Sequence, residues 1–438
     1  MHSIKENAQL YTFPEDFSRS AELVVRVNGV AIPVLQVKAG LLARFGLNGP
    51  VEVELCWKEK PASVVVRPQR ENIQSVETNC GIQFTLSQPS HLCIEAAQKK
   101  PLYLVAAGWE EEPSENVTHY FAPGQVYDPE VVELSSGDHL HLAGGAILRA
   151  PLSICNAEGV TVEGNGVLDG SYSPNLAAHG VIKGVARATA LISNSRNISV
   201  RGIAVVNSPG WSFPVAASHD VLLDGVNIIN DDACDDGVDI VGSEKVTIQN
   251  SFIATNDDCI AIKAIDYGNL RTDARRDVKD ILVEGCVLRN GMSGNVIDIG
   301  FETQADRIGD IIFRDIDIIG AHGYSAVFSI HNGDRAQVEN VLYEDIRIDH
   351  YFSLFLDFRV LKSRWSVDAQ RGRIRNITLR NVELCRDVFN TPSLISGLSE
   401  TQPVSNIRLE HIVQNGTALK TLEELELFTR RTENITLV

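Results

Sequence analysis

The chain has 438 residues and a mass of 48.0 kDa, too long for one ordinary hydrophobic core, which leaves several domains or one elongated repeat architecture. Hydrophobic residues make up 44% and charged residues 22%, and no run approaches the ~18 apolar residues of a membrane span, so no membrane association is expected. The excess of 57 acidic over 39 basic residues, a formal charge of −18, disfavours nucleic acid, whose phosphates gather cationic proteins.

The segment Met1 to Asn7 lacks the basic stretch and apolar core of a secretory signal, so the expected location is cytoplasmic, or secreted if a signal was trimmed. The sequons at Asn116 and Asn376 mean little without export. The eight cysteines, at 56, 80, 93, 155, 234, 259, 286 and 385, form no CxxC pair and are expected to be reduced and mostly buried.

From about residue 21 to 107, alternating runs such as Glu22-Leu-Val-Val-Arg-Val-Asn, Val51-Glu-Val-Glu-Leu and Ala62-Ser-Val-Val-Val-Arg recur between turn residues, the pattern of an antiparallel β-sandwich. The polar stretch Gly108-Trp-Glu-Glu-Glu-Pro-Ser-Glu reads as a linker. The expected division is a sandwich domain over 1–110 and a second domain over 111–438.

The second domain repeats one phrase: Gly159-Val-Thr-Val-Glu-Gly, Asn197-Ile-Ser-Val-Arg-Gly, Asp220-Val-Leu-Leu-Asp-Gly, Lys245-Val-Thr-Ile-Gln-Asn, Asp280-Ile-Leu-Val-Glu-Gly, and so on to Asn434-Ile-Thr-Leu, at spacings of 23 to 38 residues. Each copy is a short β-branched strand closed by Gly, Asn or Asp, and helical periodicity is nearly absent. The expected fold is all-β: a right-handed parallel β-helix, preceded by the sandwich, with apolar side chains of each coil buried against its neighbours. The stretch 417–430 is expected to cap the solenoid as a short helix or irregular segment.

Stacked coils bring equivalent positions to about 4.8 Å, the spacing of paired strands, so aligning coils locates a site. Asp235-Asp236-Gly237-Val238-Asp239-Ile240-Val241 aligns without gaps on Asp257-Asp258-Cys259-Ile260-Ala261-Ile262-Lys263, then on the coils at 294–300 and 325–331. Alternation points Val238, Ile260, Ile297 and Phe328 inward. The outward columns read Asp239, Ala261, Asp298, Ser329 and Val241, Lys263, Gly300, His331. Asp236, Asp257 and Asp258 then cluster beside a polar face, and three adjacent carboxylates cannot all ionise freely, so one carries a raised pKa and can act as an acid. Glycosidic cleavage needs such an acid and a base for water. Single aspartates of the repeat phrase, such as Asp224, Asp280, Asp310 and Asp345, read instead as turn-forming residues. Asp232-Ala-Cys-Asp-Asp-Gly begins like an EF-hand, but Cys234 stands at position three and no Glu at position twelve, so that reading fails.

Asp235-Asp236-Gly237-Val238-Asp239, followed by Asn256-Asp257-Asp258-Cys259-Ile260-Ala261-Ile262-Lys263, resembles the paired signatures of polygalacturonases, glycoside hydrolase family 28, over roughly residues 117 to 438. The resemblance implies inverting hydrolysis of a poly- or oligosaccharide without a cofactor, with Asp257 as general acid and Asp236 with Asp258 placing and deprotonating the water. Two further family signatures are altered. A Gly-His-Gly motif is here Gly294-Asn295-Val296, and an Arg-Ile-Lys motif is Ser329-Ile330-His331, which removes both cations expected to hold a galacturonate carboxylate. With Lys263 the remaining cation on the aligned columns, a neutral sugar is favoured over galacturonate. The layout also resembles the dextranase-like family 49. Further substrate-binding candidates are Asp239, Lys263, Asn295, Asp298, Glu302, His331, Asp334, Arg335 and, as a sugar platform, Trp211; Trp365 is a weaker platform. Inversion implies carboxyl groups ~6.5–9.5 Å apart. The alternatives are a calcium-dependent lyase or epimerase and a non-catalytic glycan-binding β-helix. An imported oligosaccharide, short or cut from its end, suits a chain without an export signal.

Overall fold

The computed structural model describes residues 3–113, 116–171, 188–268, 270–386 and 390–438. It is built of two β-sheet bodies, and its one helical element among these residues is the 3₁₀ turn Gln69–Glu71. No helix of the described residues is long and apolar enough to cross a membrane.

The N-terminal body packs a seven-stranded sheet on a five-stranded one. Its strands alternate as the sequence pattern requires: in Val51–Trp57 the odd positions Val51, Val53, Leu55 and Trp57 are buried. They meet Phe45, Leu92, Leu104 and Ala106 of the facing sheet in one apolar core. The sheets also include Ser3–Lys5 and Ala8–Leu10, N-terminal to the clearest alternation. Cys56 and Cys80 form a disulfide with Cα atoms 4.8 Å apart, which corrects the expectation that every cysteine is reduced. Antiparallel pairing sets Gly81 opposite Cys56 and so brings Cys80 alongside, a proximity that a separation of 24 residues conceals. Of the six free cysteines, Cys93, Cys259 and Cys286 are buried, Cys155 is half-buried, and Cys234 and Cys385 are exposed.

From His119–Phe121 onward the chain winds as a parallel β-helix with a twenty-stranded sheet, which bends into two faces, and an eleven-stranded sheet forming the third. The repeat phrase is the strand of the first face. Its second and fourth residues, such as Val221 and Leu223, Val246 and Ile248, or Ile281 and Val283, pair coil upon coil and fill the interior. Both ends of the phrase are left-handed: Asn197, Asp220, Asp280, Asp310, Asn340, Asn376, Asn406 and Asn434 open it with φ between 53° and 57°. Asp and Asn tolerate that conformation better than other side chains with a Cβ, which explains their recurrence. On the last coils they form a ladder, Asn340 donating to Asp310 at 2.9 Å, Asn376 to Asn340 at 3.2 Å, Asn406 to Asn376 and Asn434 to Asn406 at 3.0 Å. The 417–430 stretch is no helix. It is turns between Thr417–Ala418 and Leu427–Arg430, and the latter strand joins the third face.

The sandwich docks on the outer side of the second face. Tyr11, Phe13, Leu42, Tyr103 and Val105 share an apolar cluster with Val167, Val206, Ile229, Phe252 and Val287. Arg44, 1% exposed, crosses this junction and donates to the carbonyls of Gly166 and Gly202 at 2.8 and 2.7 Å.

Candidate active site

The third face carries the site on its outer surface. Val238–Val241 pairs with Ile260–Ala264, which pairs with Ile297–Thr303, then Ala326–Asn332 and Leu354–Val360. Asp239 lies opposite Ala261, Ala261 opposite Asp298, and Asp298 opposite Ser329, the register that gap-free alignment gives. The turns leading from the second face into these strands hold Asp236, Asp257 and Asp258. One oxygen of each lies within 4.8 Å of the others.

A buried aspartate that does no surface work builds this turn. Asp235, fully buried, accepts the backbone N–H groups of Asp232 at 2.8 Å, Asn256 at 2.9 Å and Asp257 at 2.8 Å, locking one acidic turn onto the next. Burial pushes its carboxyl up to about 7 against those three donors. Asn295 fixes Asp258, donating to its Oδ1 from the backbone at 2.6 Å and from Nδ2 at 3.2 Å.

Lys263 organises the charges. Its ammonium, 6% exposed, donates to Asp236 Oδ2 at 2.8 Å and Asp239 Oδ1 at 2.7 Å and sits 4.3 Å from the centroid of the Trp211 ring. Burial works against its charge, but Asp236, Asp239, Glu302 and Asp258 together hold its pKa well above the ordinary lysine value. Burial, reinforced by the Asp236 charge, pushes Asp257 up to about 6. Burial and then the charges of Asp298 and Asp236 push Asp258 well up. The cluster thus combines one carboxylate held by an ammonium with two that hold a proton more tightly than a free aspartate, the division of labour that acid–base catalysis uses.

A cleft of about 630 Å³ opens over these groups. Asp236, Asp257, Asp258, Lys263, Asn295, Asp298, Glu302, His331 and Trp211 all line it, as does Trp365. Glu302 accepts a hydrogen bond from the Tyr267 hydroxyl. His331 stacks on Phe301 at 4.3 Å, with Nε2 3.0 Å from Asp357 and Nδ1 3.5 Å from Asp298 without a hydrogen bond to it; Asp298 accepts from the Ser329 hydroxyl.

Four expectations need correction. Asp239 is fully buried beneath Lys263, so it acts on the ammonium and does not face the cleft. Asp334, also fully buried, accepts the backbone N–H groups of Val367 and Asp368 at 2.7 and 2.8 Å, and Arg335 is paired with Asp306 and Asp368. Both belong to a loop clamp outside the cleft. Trp211 lines the cleft but is 2% exposed, covered by Lys263 and set edge-on to Tyr267, so no ring face is offered to a sugar. The carboxylates also stand closer than the ~6.5–9.5 Å of the inverting rule, because Asp257 and Asp258 are consecutive on one turn and Asp236 lies on the turn of the adjacent coil.

The alignment of coils stopped one too soon. Leu356, Asp357, Phe358 and Arg359 pair with Phe328, Ser329, Ile330 and His331, so Asp357 and Arg359 extend the two outward columns. Arg359 donates to Asp357 at 2.5 Å, and the exposed Arg364 lies 4.6 Å over the Trp365 ring. Lys263 is therefore not the sole cation of the face: Arg359 and Arg364 both line the cleft. Tyr267 and Tyr324 come from loops without repeat periodicity, and no sequence signal marked them.

A groove of similar size, about 650 Å³, lies on the outer first face among Leu282, Ile312, Leu342 and Thr378. Of its charged lining residues, Asp310 is committed to Arg307 and Asn340, Arg314 to Glu284, and Arg380 to Glu344 and Glu410.

The model of the family "Glycosyl hydrolases family 28" matches residues 143–416. A polygalacturonase of Prunus persica is 25% identical over 194 residues, 43% of this chain and 46% of that protein, so the match spans under half of the relative's length. Among solved structures, Dex49A from Penicillium minioluteum superposes with a TM-score of 0.57 at 12% identity, covering 99% of this chain and 98% of that one. An exopolygalacturonase from Thermotoga maritima gives 0.56 at 16% identity, covering 68% and 84%. These two likenesses concern the fold.

Proposed function

Because the chain belongs to the glycosyl hydrolases of family 28, we propose that it hydrolyses O-glycosidic bonds of a poly- or oligosaccharide by direct displacement with inversion. Asp257 gives its proton to the leaving oxygen as the bond from the anomeric carbon breaks. A water held by Asp236 and Asp258 attacks that carbon and passes its proton to Asp236, and exchange with solvent resets both groups. The observation that carries this reading is the unequal treatment of three neighbouring carboxylates: Lys263 clamps Asp236 at 2.8 Å, whereas burial and the Asp236 charge push Asp257 up to about 6 against the more distant pull of Lys263. The clamp also argues for inversion despite the short separations, since a carboxylate tied to an ammonium is a poor nucleophile.

For the substrate we favour a uronic-acid sugar over a neutral one. The expectation of a neutral sugar rested on missing cations, and Arg359 and Arg364 at the cleft supply planar guanidinium groups suited to a carboxylate. Reducing-end release from oligogalacturonides and isomalto-oligosaccharides decides between them. Cleavage of oligogalacturonides, with a KM raised at least several-fold in Arg359→Ala and Arg364→Ala, supports the uronate; preferential isomalto-oligosaccharide cleavage restores the neutral sugar. EDTA should leave the rate unchanged, while an unsaturated uronide product lost on chelation would favour the lyase alternative. The Cys56–Cys80 bridge suits an oxidising compartment better than the cytoplasm, so thiol titration of the unfolded protein should find six free thiols of eight.

A further inference from the structure

Among the described residues, the outer surface of the third face is covered over its N-terminal coils and open over its C-terminal ones. After Ile260–Ala264 the chain does not pass directly to the first face. Residues 265–268 and 270–274 turn back across the preceding coils, with Ile265 bridged to Ala274. Leu270, 1% exposed, packs with Ile265 and Ala274 against Leu191, Ala216 and Val241, whose side chains would otherwise face solvent. The Leu270 carbonyl accepts from the Ser193 hydroxyl, and Arg271 reaches Ser153 at 3.2 Å and Glu133 at 3.3 Å, two coils further toward the N-terminus. Trp211 and Tyr267, rings 5.4 Å apart, present this covered region to the cleft as a wall.

The carboxylate cluster lies beside that wall. Asp236 and Asp258 lead into Val238–Val241 and Ile260–Ala264, the last covered strand and the first open one. Beyond them, Ile297–Thr303, Ala326–Asn332, Leu354–Val360 and Ser393–Ser396 all contribute residues to the cleft or border it, and four further strand spacings amount to ~19 Å. The room is strongly unequal: about one coil on one side of the acids and four on the other. A polymer threaded through the site would have to leave through Trp211, Tyr267 and the packed segment behind them.

We infer that the cleft is blind at the Trp211–Tyr267 wall and that the protein acts at chain ends, seating one or two terminal sugar units against the wall and the rest of the chain along the open coils. This rests on the reading of the site as a glycoside hydrolase. The wall, and not the carboxylates, sets the length of the unit released.

The test is the length of the first products from hexasaccharides of galacturonate and of isomaltose units, labelled at the reducing end and sampled early. Release of one or two units with the complementary pentamer or tetramer is expected, together with little loss of polygalacturonate viscosity per bond broken. Early trimers from the middle of the hexamer, or a steep fall in viscosity, overturn the inference. Tyr267→Ala lowers the wall and should raise the share of longer first products at least several-fold. A product pattern unchanged in that variant overturns the assignment of the limit to the wall. Absence of cleavage of both hexasaccharides is a distinct result, which overturns the hydrolase reading and the chain-end inference with it.

Discussion

At the scale of single residues, what distinguishes the three aspartates is which of them meets a cation. Asp257 is not hydrogen-bonded to Lys263 as Asp236 is, and burial with the Asp236 charge holds it near 6, above the ~3.9 of a free aspartate. Its folded state therefore binds the proton more tightly than the unfolded chain, and the stability this gives is full below about pH 4 and lost as pH rises through about 6. Asp257→Asn should melt above the wild type at pH 7, with the difference vanishing near pH 4, while kcat falls by several orders of magnitude. Scanning calorimetry at both pH values, alongside rates, checks the pair of outcomes. Wild-type activity should also fall as pH rises above about 6, because the acid must hold its proton. Lys263→Met leaves Asp236 and Asp239 buried without their ammonium. Breaking such a pair typically costs ~3–5 kcal/mol, so urea denaturation at pH 7 should show a loss of that order, smaller at pH 5 because burial raises the Asp239 carboxyl and lets it protonate instead.

At the scale of coils and turns, the sequence disclosed a column wherever the periodicity persisted. The gap-free match of 235–241 on 257–263 placed Asp236 beside Asp258, and the same register reached Asp298 and His331. One coil further the signature words stop, and Asp357 with Arg359 went unread although they obey the same alternation. Asp334 and Arg335 show the converse limit: polar residues next to a site-forming strand look like site residues, and only the backbone N–H groups that Asp334 accepts reveal a structural role. Loop residues such as Tyr267 carry no period at all, and the disulfide depends on a strand register that composition does not encode. Asp235 had already appeared in the acidic signature, and its function is visible only in three dimensions. Asp235→Ala removes the acceptor of three half-buried N–H groups, so a loss of ~2 kcal/mol or more is expected by urea denaturation. Asp235→Asn, which keeps an acceptor, should recover part of it.

At the scale of the molecule, the sandwich and the β-helix share a buried polar and apolar junction in place of a loose linker. Arg44 is committed to two carbonyls of the β-helix from within the sandwich, so Arg44→Ala removes both bonds, empties a buried site at the junction and should lower the melting temperature by several degrees; circular dichroism melts read this out. The solenoid supplies the rigid ruler on which the site is drawn: coils one strand spacing apart bring three carboxylates together, an ammonium from the neighbouring strand sorts them, and a returning segment limits what can lie across them. The central claim is that this sorted trio hydrolyses a glycosidic bond by inversion. Proton NMR of the first-formed product from an oligogalacturonide, taken before mutarotation with wild type and Asp257→Asn in parallel, tests it most directly. The expected result is a reducing sugar of the anomeric configuration opposite to the cleaved bond with wild type and no product above background with the variant; a retained anomer, or undiminished cleavage by Asp257→Asn, would contradict it.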